Sequence, residues 1–92
     1  MADKTLHVLV FGRVQGVFFR AFVKEQANRL GVKGYVRNRS DGSVEAVCLG
    51  NEKSLNELLQ QIKKGPVLSM VEKVEAKQIL LTPLANSFEI LH

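Results

Sequence analysis

The chain contains one cysteine, no tryptophan, two prolines and two histidines among its 92 residues. A single thiol, Cys48, cannot close an intramolecular disulfide or provide a cage of cysteines for a metal ion. The two aspartates, Asp3 and Asp41, form no Asp-x-Asp pair, and His7 and His92 lie far apart in the sequence. We therefore expect no metal site and no aspartyl-phosphate chemistry, and a free thiol is typical of a reducing compartment.

Several motifs of well-known enzyme classes are also missing. Ser54 occupies the place six residues after Cys48 where a cysteine-dependent phosphatase needs an arginine. The chain has no Gly-x-Ser-x-Gly elbow of a serine hydrolase, no Walker A loop and no Gly-x-Gly-x-x-Gly dinucleotide fingerprint. We interpret Cys48 as a small buried apolar residue.

Long apolar runs are absent as well. No segment approaches the ~20 apolar residues that cross a bilayer, and the start of the sequence, MADKTLHVLVFG, lacks the features of a signal peptide. These absences predict a cytoplasmic protein with no membrane partner. Thirteen basic and nine acidic residues leave a net charge of +4, which favours an anionic ligand but does not identify it.

What the chain does contain is typical of a small globular protein. It is 46% hydrophobic and 24% charged, and its length predicts one domain over residues 1–92. A chain of this size supports two packed layers without a large internal cavity. We therefore expect a shallow site.

Apolar spacing predicts the first elements. Alternation over residues 5–11 predicts a strand with Leu6, Val8 and Val10 on one face. Helical spacing of apolar residues predicts a helix over residues 20–30, with Phe19 joining its apolar face.

A hairpin and a second helix follow. Residues 34–39 and 43–49 predict two strands joined by a Ser-Asp-Gly turn. The second helix begins at Asn51 or at a Ser54-x-x-Glu57 capping box and ends before Gly-Pro.

The last part of the chain predicts two more strands. One covers residues 71–81, and a short one containing Phe88 and Ile90 follows Pro83. The order βαββαβ predicts an α+β, ferredoxin-like sandwich, in which an antiparallel sheet carries two helices on one face. Many functions use this architecture, so the fold alone does not identify the activity.

The segment GRVQGVFFR, residues 12–20, connects the first strand to the first helix. Gly12 and Gly16 permit a tight connection whose N–H groups form an anion-binding concavity at a helix N-terminus. Arg20 stands at the start of that helix, where a guanidinium adds bidentate hydrogen bonds to a bound anion. A plain turn followed by a solvated arginine fits the same spacing.

Asn38 is the polar residue of the strand GYVRNR. An amide both donates and accepts hydrogen bonds, so it can orient a water molecule beside a phosphate without adding negative charge. Local hydrogen bonding near the turn explains it equally well. We expect Arg13, Arg37 and Arg39 to be mostly solvated and not catalytic.

Taken together, GRVQGVFFR at residues 12–20 and GYVRNRSDGSVE at residues 34–45 resemble the two signature segments of the acylphosphatase family. The segments KKGP and MVEKV follow in the expected order, and the resemblance covers nearly the whole chain, with the last ten or so residues matching least well. The family hydrolyses the carboxyl-phosphate bond of small acyl phosphates to a carboxylate and inorganic phosphate, without metal or cofactor.

This resemblance implies roles for individual residues. Arg20 would bind the phosphate and Asn38 would position the attacking water. The backbone amides of the loop would form the phosphate cradle, and the loop residues are Gln15, Gly16, Val17, Phe18 and Phe19. We expect the protein to act as a monomer on a small molecule.

Two other functions remain open from the sequence. A non-catalytic ferredoxin-like anion-binding module is one, although the chain retains both Arg20 and Asn38. An RNA-binding domain of the same element order is the other, because Lys33-Gly34-Tyr35 begins like the RNP1 motif. That motif belongs on the third strand and needs a further aromatic where Arg37 stands. We therefore expect no nucleic-acid partner.

Overall fold

The computed structural model describes residues 3–80 and 85–92, and this part of the chain forms five strands and two helices. In chain order they are β1 (Lys4–Arg13), α1 (Phe19–Leu30), β2 (Lys33–Asn38), β3 (Val44–Gly50), α2 (Glu52–Lys64), β4 (Met70–Ile79) and β5 (Phe88–Leu91). The strands form one sheet in the order β4-β1-β3-β2-β5. The predicted α+β, ferredoxin-like class and the order βαββαβ are confirmed, and β5 is the short final strand predicted around Phe88 and Ile90.

The helix ends follow local signals. α1 ends at Gly31, which adopts φ 72° and donates its backbone N–H to the carbonyls of Ala27 and Asn28. α2 begins after Asn51, whose side chain accepts a hydrogen bond from the Ser54 N–H at 2.8 Å. Of the two starts that the sequence allows for α2, the structure has the Asn51 cap.

One face of the sheet packs against both helices. The register places Val8 of β1 opposite Ala46 of β3, and Val10 opposite Val44, and all four are buried. The buried helix residues are Phe19, Val23 and Ala27 of α1 and Leu55, Leu58 and Ile62 of α2. Strand and helix residues join in one hydrophobic cluster, so apolar burial holds the two layers together.

The sheet is mixed: β1 to β4 pair antiparallel as predicted, and β5 adds one parallel pair that the prediction did not include. β5 pairs in parallel with β2, with Phe88 beside Gly34. β4 ends where Ile79 pairs with Thr5, at the end of the sheet where β2 begins. A strand that starts at that end, on the free edge of β2, must run in the same direction as β2. The predicted end of the fourth strand at Leu81 and the break at Pro83 lie outside the described residues.

The face of the sheet without helices carries a charged cluster around Glu45 of β3. The Glu45 carboxylate contacts His7 Nε2 at 2.7 Å and accepts a hydrogen bond from Arg37 Nε at 2.5 Å. The Glu45 side chain is only 15% exposed. Burial alone would raise the pKa of Glu45, but the hydrogen bonds from His7 and Arg37 together outweigh burial, and the pKa is lowered.

We expect Glu45→Gln to lower the free energy of unfolding by roughly 1–2 kcal/mol at pH 7, because it removes a charge-assisted pair of hydrogen bonds. A lowered native pKa means that ionised Glu45 stabilises the fold above its unfolded-state pKa, near 4.5. This contribution is lost as the pH falls below 4.5 and through the lowered native pKa. The difference between variant and unmodified protein should therefore shrink in acid.

Urea unfolding at pH 7 and in acid tests this prediction. The matched control is Glu75→Gln, because Glu75 pairs with Lys73 at 3.0 Å on an exposed surface. Such pairs contribute only about 0–1 kcal/mol. Equal stability losses for the two variants at pH 7, or a Glu45→Gln loss that does not change with pH, would contradict the assignment.

Candidate active site

The connection from β1 to α1 begins at a bulge in the sheet. The pairing of β1 with β4 shifts register between Phe11 and Gly12. Gly12 has φ 126°, and a Cβ there would collide with backbone atoms of Met70 and Glu72. Only glycine allows this approach. Gly16 then adopts φ 71°, so both glycines of the predicted tight connection have backbone conformations that favour glycine.

α1 begins without a capping side chain. Its N-cap residue is Phe18, with φ 61° and ψ 25°, and its side chain makes no capping hydrogen bond. Among the described residues, Phe18 alone has a positive φ without being glycine, and this conformation costs a residue with a Cβ roughly 1–2 kcal/mol. The first turn of α1 has no acidic residue. The first N–H groups and the positive end of the helix dipole are therefore available to an external anion.

A cavity of about 290 Å³ lies at this end of α1. Its lining residues are Val14, Gly16, Phe18, Phe19, Arg20, Ala21, Asn38, Ile90 and His92. The cavity thus brings together Arg20, from the first turn of α1, and Asn38, the last residue of β2. These two residues were predicted from separate segments of the sequence.

The five predicted loop residues take different positions. Gly16, Phe18 and Phe19 line the cavity. Val17 packs against the hydrophobic core, and the side chain of Gln15 points to the neighbouring turn. The loop therefore lies along the cavity, but Gln15 and Val17 are not among the residues that line it.

Gln15 connects the loop to the turn between β2 and β3. Its side-chain Nε2 donates to the carbonyls of Arg39 and Ser43, each at 2.8 Å. The turn is itself ordered by Asp41, which accepts hydrogen bonds from the Ser43 hydroxyl and backbone N–H. These bonds lower the pKa of Asp41. Because Asn38 directly precedes this turn, Gln15 fixes the loop relative to Asn38.

The Arg20 guanidinium is held by the end of the chain. Its Nη1 donates to the Leu91 carbonyl at 3.1 Å and contacts His92 Nδ1 at 3.4 Å. Both contacts use the same nitrogen, so the guanidinium keeps further N–H groups for a ligand. β5 reaches this position because it pairs with β2. No local sequence pattern indicated the role of Leu91 and His92, because the contact joins distant parts of the chain.

Among residues 3–80 and 85–92, Asn38 Oδ1 is the buried side-chain oxygen or nitrogen that has no hydrogen-bond partner. An unsatisfied buried acceptor costs about 1–3 kcal/mol. Such a group is typical of a functional site in which a ligand or a water molecule supplies the missing hydrogen bond.

The other arginines of the two segments lie outside the cavity. Arg37 binds Glu45 on the opposite face of the sheet, and Arg39 lies 3.8 Å from Asp41. Arg13 is exposed at the end of β1. Within the described residues, the cavity therefore takes its basic side chains from Arg20 and His92, and no Asp or Glu residue is part of its lining.

A comparison of the sequence with models of protein families matches the acylphosphatase family over residues 6–90. The chain belongs to the acylphosphatase family. The acylphosphatase of Thiobacillus denitrificans is 51% identical over 75 residues, which are 82% of this chain and 84% of that protein. The acylphosphatase of Rubrobacter xylanophilus is 46% identical over 87 residues, 95% of this chain and 79% of that protein.

A solved structure agrees with these relatives. The crystal structure of acylphosphatase from Bacillus subtilis matches with a TM-score of 0.91 and 33% sequence identity, covering 96% of this chain and 98% of that chain. The acylphosphatase relatives favour the catalytic interpretation over the non-catalytic anion-binding or RNA-binding module that the sequence left open.

Three further features of the described residues concern a cysteine nucleophile, a metal site and a membrane span. Burial raises the pKa of the Cys48 thiol to about 12, so this thiol stays protonated at neutral pH and is a poor nucleophile. Within residues 3–80 and 85–92, no three His, Cys, Asp or Glu side chains are grouped to hold a metal ion. In the same residues, no helix has the length and apolar character needed to span a membrane.

Proposed function

We propose that this acylphosphatase hydrolyses the carboxyl-phosphate bond of small acyl phosphates by direct attack of water on phosphorus. Arg20 and the backbone amides of residues 15–19 bind the phosphoryl group, and Asn38 positions the water. The observation that carries the proposal is the shared cavity. Arg20, Asn38 and the uncapped start of α1 line one space of about 290 Å³.

The phosphoryl group is the part of the substrate that this cavity suits best. Uncapped N–H groups at the start of a helix and a planar guanidinium both donate to the oxygens of an anion. Phosphoryl transfer depends mainly on positioning and on stabilising charge at the equatorial oxygens. The hydrogen bond from Arg20 to the Leu91 carbonyl holds the guanidinium in place before substrate arrives, which reduces the entropy lost on binding.

Asn38 is suited to hold the attacking water. Its Oδ1 is shielded in the structure and has no donor among the described residues. The amide group turns easily about χ2, so this oxygen can rotate to the cavity and accept a hydrogen bond from water. That bond orients a lone pair of the water towards phosphorus.

The leaving group explains why no general acid is needed. As water forms the new O–P bond, the bond from phosphorus to the acyl oxygen breaks and a carboxylate leaves with the electron pair. A carboxylate has a pKa of roughly 4–5 and departs without protonation. The proton of the water passes to a phosphoryl oxygen of the substrate, because the amide of Asn38 is too weak a base to take it. Inorganic phosphate and a carboxylate are the products.

We also propose an oligomeric state, a compartment and a set of partners for the enzyme. The enzyme acts as a monomer and a single domain in the cytoplasm, on a small molecule, without cofactor, nucleic acid or membrane partner. The free Cys48 thiol, which is buried in the core, is consistent with a reducing compartment.

Hydrolysis of acetyl phosphate in ¹⁸O-labelled water tests the reaction. We expect the label in inorganic phosphate and not in acetate, because water attacks phosphorus. Excess chelator should leave the rate unchanged. A simple alkyl phosphate should react far more slowly, because its alkoxide leaving group is strongly basic and no Asp or Glu side chain lines the cavity to protonate it.

Each arm of this experiment has a contradicting result. Label in acetate would show attack on carbon instead of phosphorus. Loss of activity with chelator that added metal restores would contradict a reaction without metal. No hydrolysis by well-folded protein would instead support a binding module.

A further inference from the structure

Phe18 combines two features that do not stabilise the fold. Its backbone is left-handed, with φ 61°, and its side chain is 79% exposed. The adjacent Phe19, by contrast, is 1% exposed and belongs to the hydrophobic core. Glycine would adopt the same backbone conformation with less strain. Neither the loop conformation nor the core therefore explains an aromatic side chain at position 18.

The position of Phe18 suggests what the ring does. Phe18 lines the cavity together with Arg20 and Asn38, and the apolar residues Ala21 and Ile90 line it too. The cavity thus has polar groups for a phosphoryl group and apolar surface beside them. A ligand cavity with a few polar groups among apolar residues is the usual form of a small-molecule site.

We propose that Phe18 is a specificity-determining residue that binds the acyl group of the substrate and favours aromatic acyl groups over small ones such as acetyl. This inference rests on the proposed function, because an acyl phosphate held by its phosphoryl group must extend its acyl group out of the loop. An aromatic acyl group gains contact with the exposed ring through offset or edge-to-face packing and by leaving water. An acetyl group is too small to cover the ring.

The ratio of kcat/KM for benzoyl phosphate to kcat/KM for acetyl phosphate isolates this contact. Both substrates carry the same phosphoryl group, so a disturbance of the loop affects both and cancels from the ratio. We expect Phe18→Ala to lower the ratio by about 3- to 10-fold, the range of a lost aromatic contact. Phe18→Tyr keeps the ring and should retain the ratio. Phe18→Gly also removes the ring but relieves the backbone strain, and it should lower the ratio as Phe18→Ala does.

Leu68→Ala is the matched control, because Leu68 is also an exposed apolar side chain, at 67%, but does not line the cavity. It should leave the ratio unchanged. A ratio that stays constant in Phe18→Ala and Phe18→Gly would overturn the inference, and so would an equal fall in Phe18→Tyr or Leu68→Ala. If the unmodified protein hydrolyses neither substrate, the proposed function itself fails. If it hydrolyses both and the ratio never changes, only the role of Phe18 fails.

Discussion

Arg20→Ala is expected to lose both turnover and affinity for inorganic phosphate. The Arg20 guanidinium lies in the first turn of α1 on the wall of the cavity. In the proposed mechanism, this guanidinium donates hydrogen bonds to the phosphoryl oxygens in the ground state and still more strongly as charge develops in the transition state. Removing an arginine that acts in this way lowers kcat/KM by at least about 10³-fold. The inhibition constant of phosphate should rise in parallel.

Two variants control for the Arg20 experiment. Arg20→Lys keeps the charge but loses the planar fork, so we expect it to recover only part of the phosphate affinity. Arg13→Ala removes an exposed arginine of the same segment that does not line the cavity, and it should keep both activity and affinity. If Arg20→Ala were inhibited by phosphate as strongly as the unmodified enzyme, Arg20 would not be the phosphate-binding residue.

Asn38→Ala is expected to lose turnover but to retain inhibition by phosphate. In the proposed mechanism, the amide positions water and does not bind the phosphoryl group, so kcat should fall by on the order of 10²- to 10³-fold, as when one transition-state hydrogen-bonding group is removed. The variant also removes a buried oxygen without a donor among the described residues. We therefore expect thermal unfolding to show unchanged or slightly raised stability, by about 0–1 kcal/mol.

Asn38→Asp adds a second arm to this experiment. It keeps an acceptor for water but places a negative charge beside the anionic phosphoryl group, so it should weaken phosphate binding where Asn38→Ala does not. The contrast between Arg20→Ala and Asn38→Ala is the decisive comparison. Equal loss of phosphate affinity in both would contradict the division of roles between the two residues.

Much of the fold could be predicted from local patterns. Apolar residues alternate in β1 and β3 and recur at helical spacing in α1 and α2, because these side chains face the core. Each segment shows its own pattern without reference to the rest of the chain. The parallel pairing of β5 with β2 could not be predicted in the same way. It depends on the end of the sheet at which β4 finishes, which is a property of the assembled sheet.

The candidate site also has features that a local segment predicts and contacts that it does not. The loop from Gly12 to Arg20 is contiguous, so its glycines and its arginine could be found together. Asn38 was found because a second segment carries it. The hydrogen bonds from Gln15 to the β2–β3 turn and from Arg20 to Leu91 join distant segments, and His92 reaches the cavity through β5. The sequence left these contacts open because no spacing encodes them.

The most direct test of the account is hydrolysis of benzoyl phosphate in metal-free buffer by the unmodified protein, Arg20→Ala and Asn38→Ala. We expect rapid hydrolysis by the unmodified protein and its loss in both variants, each still folded. Rapid hydrolysis that survives in either variant, or no hydrolysis by the folded unmodified protein, would contradict it.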